Sequence, residues 1–168
     1  LGGEARAMVV TSSILRAIEF YYEITRLLEE RKSPYKAIVA FSGSKNYGGK
    51  DVTEADINGF PSKDIEDNMG RDPYRILVVA EKFQTGYDQP LLHTMYVDRV
   101  LTDVKAVQTL SRLNRCHPKK RDTFVLDFAN DADSIKDSFQ RFYKTTILSK
   151  EVDPNKLNDL IQEIEDAN

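Results

Sequence analysis

The unbroken apolar run Ile76-Leu77-Val78-Val79-Ala80 restricts the fold more than any other stretch of the chain. A strand with no polar residue at alternate positions has no face for water. It must be buried on both sides, as in a parallel sheet sandwiched between helices. Similar runs repeat the pattern at Ala7-Met8-Val9-Val10-Thr11, Ala37-Ile38-Val39-Ala40-Phe41, Thr94-Met95-Tyr96-Val97 and Thr123-Phe124-Val125-Leu126-Asp127-Phe128. Helical periods lie between them. Over residues 14–30 the apolar positions fit a helix approximately, Ser13 is a plausible N-cap, and Pro34 closes the unit. A second helix is predicted over residues 104–114. A third starts from Asp131 or Asp133 and runs to about residue 143, with Ile135, Phe139 and Phe142 inward. Strand alternating with helix predicts a doubly wound α/β fold with a mainly parallel sheet, its strand ends brought to one rim by right-handed crossovers.

Residues 45–73 are polar and Gly-rich and predict a long excursion with one short helix around residues 62–69. The tail reads differently. Asp153-Pro154 is an N-cap followed by a first-turn proline, and Leu157, Leu160, Ile161 and Ile164 form an apolar stripe at helical spacing. The predicted organisation is one domain over residues 4–145, then a linker and the opening of a further helical region over 146–168. Leu1-Gly2-Gly3 is set aside as a remnant or a cut point. A net charge of −3 excludes a global polycation, so any nucleic-acid contact must come from a local patch or from backbone amides and hydroxyls. The basic run His117-Pro118-Lys119-Lys120-Arg121 is read as a solvated turn in preference to a DNA contact. One cysteine and two histidines exclude an intramolecular disulfide and make a structural zinc site untenable. No signal peptide or membrane-spanning run is present in the sequence, and the expected setting is cytoplasmic, with no membrane partner.

Two stretches carry chemistry. The apolar run empties into Glu81-Lys82-Phe83-Gln84-Thr85-Gly86-Tyr87-Asp88-Gln89-Pro90, with Gly and Pro at its bends, and ligands of open α/β sheets sit at carboxyl ends of strands. Downstream lies Gln108-Thr109-Leu110-Ser111-Arg112-Leu113-Asn114-Arg115. At about 100° per residue, Gln108, Arg112 and Arg115 share one narrow helix face, opposite Ala106, Val107, Leu110 and Leu113. Two guanidiniums three residues apart can grip a polyanion, because each is planar, charged and bidentate toward phosphate. A solvated helix face is the equally open alternative. Thr11-Ser12-Ser13 and Ser42-Gly43-Ser44 end two strands with small hydroxyls; ordinary turn chemistry and a grip on a phosphodiester backbone are both open for Thr11 and Ser42. For Tyr87, packing in the core is preferred over base stacking.

Thr85-Gly86-Tyr87-Asp88, followed by Gln108-x-x-Ser111-Arg112-x-x-Arg115, resembles the fifth and sixth motifs of superfamily 2 helicases. The longer wording, Ile76 through Asp98 with Ala106 through Arg115, resembles the motor (restriction) subunit of type I restriction–modification enzymes, and the resemblance covers roughly residues 7–143. It implies a RecA-like three-layer domain, the second of two, with a C-terminal helical extension. It further implies that Arg112 and Arg115 act as arginine fingers toward ATP and that Gly86, Asp88 and Gln108 belong to the nucleotide network. Thr11, Ser42 and Thr85 would hold the DNA backbone, with Asp88 toward the ribose or the facing arginines. Implied partners are double-stranded DNA, an upstream RecA-like domain of the same protein, and methyltransferase and specificity subunits.

The sequence departs from a complete motor in informative ways. No G-x-x-x-x-G-K-[ST] phosphate cradle and no D-E-x-H box is present; the stretch from Gly43 to Lys50 lacks the spacing and the hydroxyl. ATP and Mg2+ would therefore be shared with the upstream domain, no metal site is assigned to this chain, and the fragment alone is expected to be inactive. Ser111 stands where many helicases carry Gly, a change the subfamily tolerates. Glu30-Arg31-Lys32 matches the E-x-K of a nuclease centre in letters only and is rejected, since it ends a predicted helix. The alternatives are another superfamily 2 translocase and a non-enzymatic α/β binding module that docks through its arginine face.

Overall fold

The computed structural model describes residues 2–83 and 86–149. β1 (Arg6–Thr11) lies at the centre of a five-stranded sheet, as its nearly all-apolar sequence demands. Ser13 then caps α1 (Ile14–Glu30), its hydroxyl accepting the Arg16 N–H at 3.2 Å. β2 (Lys36–Ala40) follows, then β3 (Ser44–Tyr47) and β4 (Lys50–Thr53), which form a separate antiparallel hairpin. α2 (Glu54–Asn58), a 3₁₀ turn over Ser62–Asp64 and α3 (Ile65–Met69) lead into β5 (Tyr74–Val79). β6 (Leu92–Asp98), α4 (Asp103–Leu110), β7 (Phe124–Asp127) and α5 (Ala132–Ser149) complete the described chain.

The strand order is β2-β5-β1-β6-β7, and every neighbouring pair is parallel. The expected parallel α/β sheet is thus present. Register aligns the core into rows. Ile38, Leu77, Met8 and Met95 lie side by side across four strands, and Ala40, Val79, Val10 and Val97 form the next row. All eight are fully buried, on the face covered by α3, α4 and the loop bearing Tyr87. The alternate residues Val9, Val39 and Val78 pack against α1 through Ala17 and Ile18. At β7 the rows run out: Val125 continues the first, yet Phe124, Val125, Leu126 and Phe128 are 40–66% exposed.

Three sequence expectations need correction. The excursion holds more structure than one short helix, because Gly48 (φ +61°) and Gly49 (φ +81°) make the two-residue turn that closes the β3–β4 hairpin. Its strands are polar and showed no apolar alternation. The arginine helix is α-helical only to Leu110 and continues as a 3₁₀ turn over Ser111–Asn114. There the Ser111 hydroxyl donates back to the Gln108 carbonyl (3.2 Å), local competition of the kind that distorts helix ends. Finally, Phe142 on α5 is 36% exposed and does not point inward, whereas Ile135 packs on the core. Asp131 is the cap of α5: its carboxylate accepts the Asp133 and Ser134 N–H groups at 3.2 and 3.1 Å. The predicted tail helix lies outside the described residues.

Leu77 is flanked by Met8 and Ile38 in register and by helices above it. Leu77→Ala leaves a cavity that a parallel sheet cannot close and is expected to cost about 2–5 kcal/mol. Urea unfolding of the two proteins checks this.

Candidate functional site

The connection from β5 to β6 sets the geometry of the site. Because the two strands are parallel, the chain must travel back along the sheet before β6 can begin at Leu92, beside Arg6 at the start of β1. Among the described residues of that return there is no helix. Tyr87 does the anchoring: it is 1% exposed, lies in the core cluster of the α3–α4 face, and its ring sits 5.3 Å from that of Phe83. The core-packing expectation for Tyr87 holds. Gly86 just before it has φ +79°, and nothing lies within 4 Å of where a Cβ would stand. Glycine is therefore required there by backbone conformation, not by space.

Tyr87 and Asp88 meet the arginine turn. Arg112 donates from Nη1 to the Tyr87 carbonyl at 3.2 Å, and Arg115 Nε lies 3.2 Å from the Asp88 carboxylate. No α-helix forms over these residues, but the two arginines still reach neighbouring residues of one loop. Arg115 itself has extended backbone (φ −69°, ψ 130°) and marks where the chain leaves the turn. Leu113, 2% exposed, pins the other side of the turn to the core. Lys120 ties the same region together, its ammonium donating to the Arg115 carbonyl at 3.0 Å and the Pro90 carbonyl at 3.4 Å. Lys119 pairs with Glu4, so the basic run that follows the arginines is partly engaged within the domain.

Electrostatics decide what this arrangement can do. The side chains of Arg115 and Asp88 are 46% and 68% exposed, and an ion pair so open to water contributes about 0–1 kcal/mol. It orients the guanidinium without locking it. Arg112 is less exposed, and its pKa is lowered first by burial and then by the neighbouring Arg115 charge, with Asp88 opposing. Two guanidiniums thus face one carboxylate on an accessible flank of the sheet, which favours an arriving anion. Gln108 is exposed on α4, one turn before the pair.

The hydroxyl residues lie elsewhere. Thr11 ends β1 beside Asp98, at the opposite end of the sheet from Leu92, whereas Lys120 ties Arg115 to Pro90, next to that Leu92 end. Thr11 is also fully buried; its hydroxyl reaches the Val79 and Ser13 carbonyls at 3.0 and 3.1 Å and so fastens β1 to β5. Its side chain is directed inward, against the expected contact with DNA. Ser42 is exposed and lines a cavity of about 370 Å³ with Ser12, Ser13, Lys45 and Lys82. Thr85 lies outside the described residues. Sequence reasoning missed the Tyr87 carbonyl, the bonds of Lys120 and the half-buried Glu54–Lys82 pair, since backbone acceptors and pairings across 28 residues leave no local pattern. Among the described residues, no group of three or more His, Cys, Asp and Glu could hold a metal ion, and no helix is long and apolar enough to cross a membrane. Glu30, the first residue of the rejected E-x-K, ends α1 paired with Arg26.

Residues 50–130, which include Asp88, Arg112 and Arg115, match the family model described as Type I restriction enzyme subunit R domain 3. The chain is 28% identical over 146 residues to a protein of Methanocaldococcus jannaschii named as the MjaIXP type I restriction enzyme endonuclease subunit, covering 83% of this chain. It is 24% identical over 152 residues, 85% of its length, to the HindI type I restriction enzyme endonuclease subunit of Haemophilus influenzae. A third relative, named as the MjaVIIIP endonuclease subunit of M. jannaschii, is 29% identical over 122 residues, 71% of this chain. The chain spans only 13%, 14% and 11% of the length of these curated relatives.

Two substitutions separate holding from presenting. Asp88→Asn is expected to change unfolding free energy by less than about 1 kcal/mol, as suits an exposed pair. Thr11→Val leaves the Val79 carbonyl short of a donor and is expected to cost about 1–3 kcal/mol. Urea titrations of both variants check the contrast.

Proposed function

We propose that this chain, homologous to type I restriction endonuclease subunits, is the second RecA-like motor domain of a DNA-translocating ATPase of that kind. The domain would comprise residues 4–145, with 146–168 opening a further helical region. The observation that carries the reading is the convergence of Arg112 and Arg115 on Tyr87 and Asp88 in an open, anion-favouring site. The wording of these two segments and the similarity to restriction subunits support it.

In this reading the upstream RecA-like domain carries the phosphate cradle and the Mg2+ ligands, and the two domains close around ATP. Mg2+ held by the upstream domain would neutralise phosphate charge when ATP is bound. Arg112 and Arg115 stabilise the negative charge that develops on the γ-phosphoryl group, as arginine fingers do. Asp88 holds Arg115 when no nucleotide is present; on binding, Arg115 leaves it for a phosphate and Asp88 accepts from the ribose, at little energetic cost because the resting pair is weak. Gly86 gives the loop the bend that presents Asp88, and Gln108 orders the neighbouring polar network. Ser42, with Ser12, Ser13 and Lys45 around the rim cavity, contacts the backbone of duplex DNA without reading bases. Thr85 shares that role, and Thr11 supports it from inside by holding the end of β1. Opening and closing of the two domains moves DNA past the motor. Methyltransferase and specificity subunits complete the assembly in a cytoplasmic setting.

ATP turnover by the 168-residue chain, alone and mixed with the upstream domain, tests this directly. No turnover is expected from the chain alone. DNA-dependent turnover is expected on mixing, falling about 10³-fold in Arg115→Ala. Turnover by the chain alone, or turnover indifferent to Arg115, would overturn the reading.

A further inference from the structure

Glu54 is a carboxylate in an unusual place. It is the first residue of α2, in the excursion between β2 and β5, and only 3% exposed. A buried carboxylate persists only where donors compensate it. Here one oxygen accepts the backbone N–H of Phe41 at 2.7 Å and the other receives the Lys82 ammonium. Phe41 directly follows β2 and Lys82 lies in the loop that leaves β5, so one side chain joins two strand ends to the excursion.

From Lys82 a chain of contacts leads to the arginines. The Lys82 ammonium sits 5.2 Å from the centre of the Phe83 ring, and that ring lies 5.3 Å from the ring of Tyr87. The Tyr87 carbonyl in turn accepts Arg112. Phe83 has φ +64°, a left-handed conformation that an L residue keeps only when its surroundings impose it. Arg99 also borders this departure, its Nη1 donating to the Ala80 carbonyl at 3.2 Å, but that bond fixes Ala80 before the loop, and its other partner Glu81 is 79% exposed, a weak pair. The buried Glu54 partner is the stronger hold.

We propose that Glu54 and Lys82 are positioning residues, which fix the departure of the loop from β5 and thereby set where Tyr87 and Asp88 present Arg112 and Arg115. The functional meaning of that placement rests on the motor reading above; the positioning itself does not. Lys82 also borders the cavity lined by Ser42. The same ammonium therefore stands between the surface assigned to the DNA backbone and the loop that addresses nucleotide.

The test is heteronuclear NMR of the 168-residue chain, read at the Arg112 and Arg115 side-chain Nε–H signals and the Tyr87 and Asp88 amides. Glu54→Gln and Lys82→Met are each expected to move these signals in the same direction, while the Met8 and Met95 amides of the sheet core stay in place. The double variant is expected to move them no further than either single one, and Lys82→Arg to restore them. Changes confined to α2 and Phe41, or additive in the double variant, would overturn the proposal. If Glu54→Gln unfolds the sheet, seen as loss of the Met8 and Met95 signals, Lys82→Met decides by the same criteria. No nucleotide or DNA is needed. Failure of the ATPase assay with these shifts intact would sink the motor reading alone, and the converse result would sink only the positioning role.

Discussion

Parallel pairing of β5, β1 and β6 is the constraint from which the rest of the structure follows. It demands that the chain return from the carboxyl end of β5 to the level of Arg6 before β6 can start. In most crossovers a helix makes that journey and covers the sheet. Here the described residues of the return form no helix, and burial of Tyr87 on the α3–α4 face secures it to the core. The carbonyl of Tyr87 and the carboxylate of Asp88 are thereby presented to the turn at the end of α4, where Leu113 is buried and its two arginine neighbours are not. One buried ring and one buried leucine therefore determine where the charges meet.

The charged layer built on that frame is energetically light. The Arg115–Asp88 pair is too exposed to stabilise the fold appreciably, and Arg112 donates to a backbone carbonyl. Such an arrangement can exchange its internal partner for an external anion with little disturbance to the sheet. Contrast Thr11, whose hydroxyl is fully enclosed at the end of β1 and serves the strand junction. Burial separates the two roles where residue type alone did not.

Much of this was legible in the sequence, for local reasons. The apolar runs gave the strands because a two-sided buried strand tolerates no polar alternation, and Ser13 gave the start of α1 because capping is a short-range interaction. Asp88 and the arginines were found by their wording, and their meeting is realised. The β3–β4 hairpin escaped because only Gly48-Gly49 announced it and its strands are polar. The 3₁₀ turn escaped because a helical wheel cannot register that Ser111 bonds back to Gln108. The burial of Thr11, the separation of the hydroxyls from the arginines, and the Glu54–Lys82 pair depend on how strands distant in sequence are stacked.

In the motor reading, this domain completes a nucleotide site held by another one. The most direct measurement is the affinity of the chain for its upstream RecA-like domain, with ADP alone and with ADP plus aluminium fluoride, a mimic of phosphoryl transfer. The expected result is tighter association with the mimic than with ADP, abolished by Arg112→Ala or Arg115→Ala. Association that ignores the mimic, or that survives loss of both arginines, would contradict the account.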